Sequence, residues 1–205
     1  MSINIVNLEQ CSYKISLEYQ DNIHAKVSEQ KLSDSIIFVE HEHVYTLGKN
    51  ANQNNILSDY PKDVAIHYID RGGDVTYHGP GQLVGYPIIN INNQNMSIGR
   101  YVHTLEEILI NTLATFDIDA QRREKLIGVW IGDEKIVAIG VRVQNGVTKH
   151  GFALNVNTDL SYYDGIIPCG IDNCEVTSME QILHETIELK MVKDVIIKEF
   201  EKYFI

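Results

Sequence analysis

The chain has 205 residues, 44% of them hydrophobic, enough for a substantial core, and it is expected to form a single domain over residues 1–205. Lys and Arg total 17 against 28 Asp and Glu, and the formal charge of −11 argues against a generic binder of nucleic-acid backbones. The start MSINIVNLEQ lacks the basic run and unbroken apolar core of a signal peptide, and no later apolar run approaches the ~20 residues of a membrane span, so a cytoplasmic protein is expected.

Tyr13, Leu17, Gln20, His24 and Val27 recur at three- and four-residue spacing and predict a helix over residues 11–30. The run SIIFVEHEHVYTLG, rich in β-branched and aromatic residues, reads as β structure ending in the polar loop KNANQNN. Strands are predicted over residues 64–69, 75–78 and 82–90, the last containing Pro87, which demands a sheet edge or a bulge because it has no N–H to donate. Ser97 is placed to cap a helix whose stripe runs from Ile98 through Tyr101, Leu105, Ile108, Leu109 and Leu113 to Phe116.

Three strands follow, over residues 128–132, 135–144 and 147–156, and the dipeptide Asn145-Gly146 between the last two suits a type I′ hairpin. An irregular segment over residues 157–176 precedes Thr177, which with Glu180 has the pattern of a capping box for a short helix. A final helix is predicted over residues 192–204. The order of helix, strands, helix, strands and helices suggests an α/β (α+β) fold with a mixed sheet flanked by helices.

The stretch RGGDVTYHGPGQLVGY, Arg71 to Tyr86, holds five glycines among polar side chains. Glycine permits close approach of backbone to ligand, so this stretch reads as the wall of a pocket. Cys169 sits in IPCGI, where proline fixes the approach and glycine leaves space beyond the sulfur. On that pentapeptide alone, a small buried apolar residue is the simpler reading. With Cys11 and Cys174 it makes an odd count without an export signal, which argues against a disulfide framework.

A thiol becomes a nucleophile with the help of a base, commonly histidine; a partly buried lysine can also serve. Lys135 opens the apolar run KIVAIGVRV and is either such a group or a plain turn lysine. The histidines at 41, 43, 78 and 150 show no metal-ligand spacing, and neither a P-loop nor a dinucleotide fingerprint is present. The basic cluster Gln121-Arg122-Arg123-Glu124-Lys125 is expected to be a solvated loop, with Arg122, Arg123 and Lys125 a possible dock for an acidic partner.

The run Arg71-Gly72-Gly73, Thr76-Tyr77-His78, Gly81-Gln82, Val84 and Tyr86 resembles the signature of bacterial lipoyl(octanoyl) transferases. The likeness continues through GVWIGDEKIVAIGVRV, HGFALNVNTDLSYYDGIIPCGI and VTSME, and so covers nearly the whole chain, while Glu42, His43 and Asp74 depart from the usual residues.

The resemblance implies the fold of lipoate and biotin protein ligases. It implies transfer of an octanoyl or lipoyl group from acyl carrier protein, through a cysteine thioester, to a lysine of lipoyl domains of 2-oxoacid dehydrogenase E2 subunits and glycine cleavage H protein. By motif position it makes Cys169 the acylated residue and Lys135 its activator. Acyl-binding segments map onto Arg71, Gly72, Gly73, Asp74, Val75, Thr76, Tyr77 and His78, onto Ala138, Ile139 and Gly140, and onto Gly151, Phe152 and Ala153. No metal and no cofactor are implied, apart from the phosphopantetheine of the donor.

Because a thioester already carries activated acyl, transfer needs no ATP. Backbone amides near Gly72, Gly73, Gly151 or Gly170 are candidate oxyanion donors, and Val75, Val84, Ala138, Ile139 and Phe152 are candidate slot residues. The competing readings are an ATP-dependent lipoate or biotin ligase of the same fold and a non-catalytic carrier-binding domain.

Overall fold

In the computed structural model, which describes residues 3–171 and 174–204, ten strands form two sheets. Two residues of the expected irregular segment, Asp172 and Asn173, lie outside the described residues. The strands are β1 (Asn4–Cys11), β2 (Ser35–His41), β3 (Val44–Leu47), β4 (Ala65–Tyr68), β5 (Val75–His78), β6 (Gln82–Ile88), β7 (Gln121–Arg123), β8 (Leu126–Ile131), β9 (Glu134–Gln144) and β10 (Val147–Asn155). The helices are α1 (Tyr13–Ser28), α2 (Ile98–Ala114), α3 (Met179–Leu183) and α4 (Leu189–Phe204).

The larger sheet has seven strands in the order β1-β2-β6-β10-β9-β8-β7, and the smaller has three in the order β4-β3-β5. Both are mixed: β1 and β2 run parallel, as do β3 and β4, and the other pairs are antiparallel. The α/β architecture with flanking helices is the expected one.

The unbroken apolar run Ile36 to Val39 explains why β2 lies inside the sheet, since successive side chains point to opposite faces and both faces are covered. Ile36 and Phe38 face the core under α2 and α4, with Leu105, Ile108, Leu109, Ile196 and Phe200. Ile37 and Val39 face the opposite core, where α1 contributes Ile23 and Val27. Ser97 caps α2 as expected, its Oγ accepting from the Arg100 N–H at 3.2 Å. Asn145 and Gly146 both have positive φ, 54° and 75°, as a type I′ turn requires.

Several expectations are corrected. Strand β1 was not predicted, because Glu9 at φ 53° and a register shift between Asn7 and Gln10 break its alternation. The first helix begins only at Tyr13, and Cys11 ends β1. Ser178, not Thr177, caps α3, accepting from the Gln181 N–H at 3.2 Å, while the Thr177 N–H donates to Lys135 O.

The first three residues of the basic cluster form the edge strand β7, while Glu124 and Lys125 make an exposed turn as expected. Arg122 is held by Glu106 at 3.1 Å and Glu107 at 2.5 Å, and Arg123 pairs with Asp133 and lies over Trp130, which leaves little of the cluster to dock a partner. Pro87 lies in an interior strand, between β2 and β10. The irregularity it demands falls on β10, where His150 has φ 59° and the Thr148 side chain takes over, donating to Pro87 O and accepting from the Ile89 N–H.

Candidate active site

Lys135, at the start of β9, is buried, and its Nζ lies 3.1 Å from Cys169 Sγ. It is therefore not a turn lysine. Its peptide is clamped by the segment that follows the cysteine: Lys135 N–H donates to Glu175 O at 2.9 Å, and Lys135 O accepts from Thr177 N–H at 3.1 Å. The aliphatic stem crosses a gap left by Gly128, where a Cβ would come within 2.6 Å of Val137 O and 3.4 Å of Lys135 Cε. Its Nζ lies over the Trp130 ring, 4.6 Å from its centre.

Cys169 lies in a 3₁₀ turn, Pro168–Gly170, with φ 58° and ψ 14°. The left-handed region costs a non-glycine residue roughly 1–2 kcal/mol. The surroundings hold it there. Ile167 N–H donates to Asn55 O at 2.8 Å, Asn55 Nδ2 donates to Asp74 Oδ2 at 2.8 Å, and Gly170 packs against the Asp74 carboxylate. Cys11 and Cys174 have thiols that burial pushes up, which suits a structural reading of both.

From Cys169 a narrow slot, with about 50 Å³ of free space, runs between β5, β6, β9 and β10. Of the residues expected at the acyl site, Arg71, Gly73, Asp74, Thr76, His78, Ala138, Ile139, Gly140, Gly151, Phe152 and Ala153 line it, with Val84. Gly72, Val75 and Tyr77 do not. The alternation of β5 turns Val75 and Tyr77 into a separate apolar cluster with Tyr45, Leu47 and Tyr163, and the Gly72 N–H is bound to Val141 O at 2.9 Å.

Tyr13, Tyr86 and His150 also line the slot. Tyr13 was missed because its spacing marks only a core helix face, and its place beside β6 is set by how α1 lies on the sheet. On the outer side, an open groove of about 940 Å³ meets Pro168 and is bordered by Glu134, Asp164 and Glu175.

Arg71 is buried across Gly140, its guanidinium donating to Thr46 O at 2.7 Å, Thr46 Oγ1 at 3.0 Å and Gly72 O at 3.0 Å. No carboxylate among the described residues hydrogen-bonds to it, and burial pushes its pKa down. Asp70, which the sequence did not single out, ties the loop before β5 to the large sheet through His150 Nε2 at 2.7 Å and Arg142 Nε at 3.1 Å. The bond to His150 holds the Asp70 carboxyl well below the usual carboxylate range.

Two further histidines are buried beside the slot, His78 in its wall and His41 behind Tyr86. His41 Nδ1 donates to Cys11 O at 3.0 Å, so its Nε2 accepts from Tyr86 OH at 2.8 Å. His78 bonds Gln82 Oε1 at 2.9 Å and Thr46 Oγ1 at 3.3 Å. Burial lowers His41 to about 4 and His78 to about 3, so both are neutral at physiological pH.

A histidine whose folded pKa lies below its unfolded value binds fewer protons when folded, so stability rises with pH across that window. The urea midpoint is therefore expected to fall as pH drops from about 6.5 toward about 5, before most carboxylates protonate. Equilibrium unfolding at a series of pH values checks this, and a flat midpoint would mean that these rings are charged in the folded protein.

The family model for the lipoyl protein ligase A/B catalytic domain matches residues 12–201. An octanoyltransferase of Alkaliphilus metalliredigens is 40% identical over 209 residues, spanning 100% of this chain and 96% of that protein. A bipartite lipoate protein ligase from Thermoplasma acidophilum, solved in work on that ligase and its E2 lipoyl domain, has a TM-score of 0.78 at 19% identity, covering 99% of this chain and 84% of that one. The biotin protein ligase of Aquifex aeolicus, in complex with biotin and ATP, has a TM-score of 0.62 at 14% identity, covering 98% and 70%. The likeness to both structures is one of fold.

Proposed function

Because this chain belongs to the lipoyl protein ligase A/B catalytic domain family, with octanoyltransferases among its full-length relatives, we propose that it moves an octanoyl or lipoyl group from acyl carrier protein to lipoyl domains by way of a thioester on Cys169. The observation that carries this reading is the 3.1 Å contact between Lys135 Nζ and Cys169 Sγ at one end of a narrow, largely apolar slot.

The amine of Lys135 takes the thiol proton as Cys169 Sγ attacks the donor's thioester carbonyl, and returns it to the departing phosphopantetheine sulfur. The neutral amine of the acceptor lysine then attacks the Cys169 thioester. Its surplus proton passes through Lys135 to the released Cys169 sulfur, so the full cycle returns the pair to its starting state. Thioester exchange is nearly balanced, whereas amide formation is downhill, and no nucleotide is needed to drive the cycle.

The acyl chain lies along Ala138, Ile139, Gly140, Gly151, Phe152 and Ala153, facing Thr76 and His78. The carriers approach along the open groove beside Pro168. Both sheets supply walls, so the whole chain works as one catalytic unit, in the cytoplasm, where lipoyl-bearing dehydrogenases and the H protein are its acceptors.

Intact-mass measurement after incubation with octanoyl-acyl carrier protein and no ATP tests this. The expected result is a gain of one octanoyl group on Cys169 that is lost on adding a lipoyl domain. An adduct that requires ATP would point to a ligase instead, and no adduct under either condition would point to carrier binding alone.

A further inference from the structure

Both half-reactions pass through a tetrahedral intermediate whose oxygen carries negative charge, and such a site needs donors aimed at that oxygen before it forms. Two of the backbone amides suggested by the glycines are already engaged: Gly72 N–H with Val141 O at 2.9 Å and Gly170 N–H with Ile167 O at 3.1 Å. Gly151 sits in the ladder between β10 and β9, opposite Gly140. Gly73, whose carbonyl accepts from Asn50 N–H, stays at the slot wall, and a side-chain donor can act beside such amides.

Thr76 has the required placement. The acyl slot and the small cavity that holds Lys135 share three lining residues, Thr76, Ala138 and Cys169, so the junction where a Cys169 thioester would sit is bounded by these three. Of the first two, only Thr76 carries a polar side-chain atom. Its Oγ1 is buried and makes no hydrogen bond of ordinary geometry among the described residues, although the Tyr163 hydroxyl lies nearby in the same small cavity.

Leaving a buried hydroxyl unpaired is costly, and a hydroxyl at this place is accounted for if a ligand oxygen accepts its proton. The neighbouring threonine does not behave the same way. Thr46, directly across the sheet from Thr76, has its Oγ1 engaged by Arg71 and His78. The same guanidinium keeps its Nε without a partner among the described residues and lines the slot together with Thr76.

We propose that Thr76 Oγ–H is a catalytic oxyanion donor, hydrogen-bonding the thioester oxygen on Cys169 more strongly as the carbonyl becomes tetrahedral. This rests on the acylation of Cys169 proposed above.

The test is single-turnover acylation by octanoyl-acyl carrier protein, followed by intact mass, in the parent, Thr76→Val and Thr76→Ser. Thr76→Val is expected to slow the step at saturating donor by about 10²-fold, as for loss of one oxyanion donor, with half-saturation unchanged. Thr76→Ser, which restores the hydroxyl, should recover most of the rate. Alkylation of Cys169 by iodoacetamide involves no carbonyl oxygen and should keep its rate and pH profile in all three.

Thr76→Ala repeats the comparison if valine prevents folding. Acylation of Thr76→Val at the parent rate, or acylation and alkylation falling together, would overturn the donor role while leaving the thioester route intact. A parent enzyme that never acquires an octanoyl group would overturn both.

Discussion

Cys169→Ala is expected to abolish the octanoyl adduct and the transfer of octanoate to a lipoyl domain together, lowering turnover by at least about 10⁴-fold. Alanine has no nucleophile, and the acceptor amine would then have to attack the carrier thioester directly, without a second tethered acyl group. The fold should not suffer. Cys169 has φ 58°, and alanine bears the same left-handed strain, so the melting temperature should stay near that of the parent.

Cys169→Gly separates the two roles of this position more sharply. Relief of the left-handed conformation should stabilise the protein by roughly 1 kcal/mol while activity is lost just as fully. Intact mass, transfer assays and thermal melts on the same preparations check all of this. Retained turnover in Cys169→Ala would exclude the covalent route.

The second large effect is expected at Lys135. Lys135→Met should slow acylation of Cys169 by about 10²-fold or more, the scale of losing a positioned acid–base group. Methionine keeps much of the stem's volume in the space left by Gly128 and removes a polar group from a buried site. Replacing buried ionisable groups by apolar ones of similar shape is often neutral or stabilising. The melting temperature should therefore hold or rise while the rate falls, the usual trade between stability and an active site.

Single-turnover kinetics and melts are the measurements. If Lys135→Met acylated at the parent rate near neutral pH, the contact at 3.1 Å would have to be structural, and the proton would need another acceptor. His78 and His150 both line the slot, but His78 is bonded to Gln82 and Thr46 and His150 to Asp70, so neither replaces Lys135 without rearranging those bonds.

The elements that could be read from sequence are those set by near neighbours. Ser97 at the head of α2 and the Asn145-Gly146 turn each rest on interactions within a few residues. The unbroken apolar run of β2 likewise announces a strand buried on both sides. Strand β1 escaped because a local bulge breaks its pattern, and β7 because an edge strand of three polar residues resembles a loop. The site was named through the motif resemblance, not through spacing: IPCGI by itself fits a packed thiol as well as a reactive one.

The glycine-lined stretch, the three long helices, the turn positions and, through the motifs, the family are all legible because they are written in runs of adjacent residues. Packing between distant segments set the rest: that Lys135 meets Cys169, that Thr76 and His78 face the slot while Val75 and Tyr77 turn away, that Tyr13 lines it, and that Arg122 is engaged by α2. Each of those depends on strand register and helix placement between segments far apart in the chain. Register is a property of the paired strands and the core they share, so no local pattern carries it.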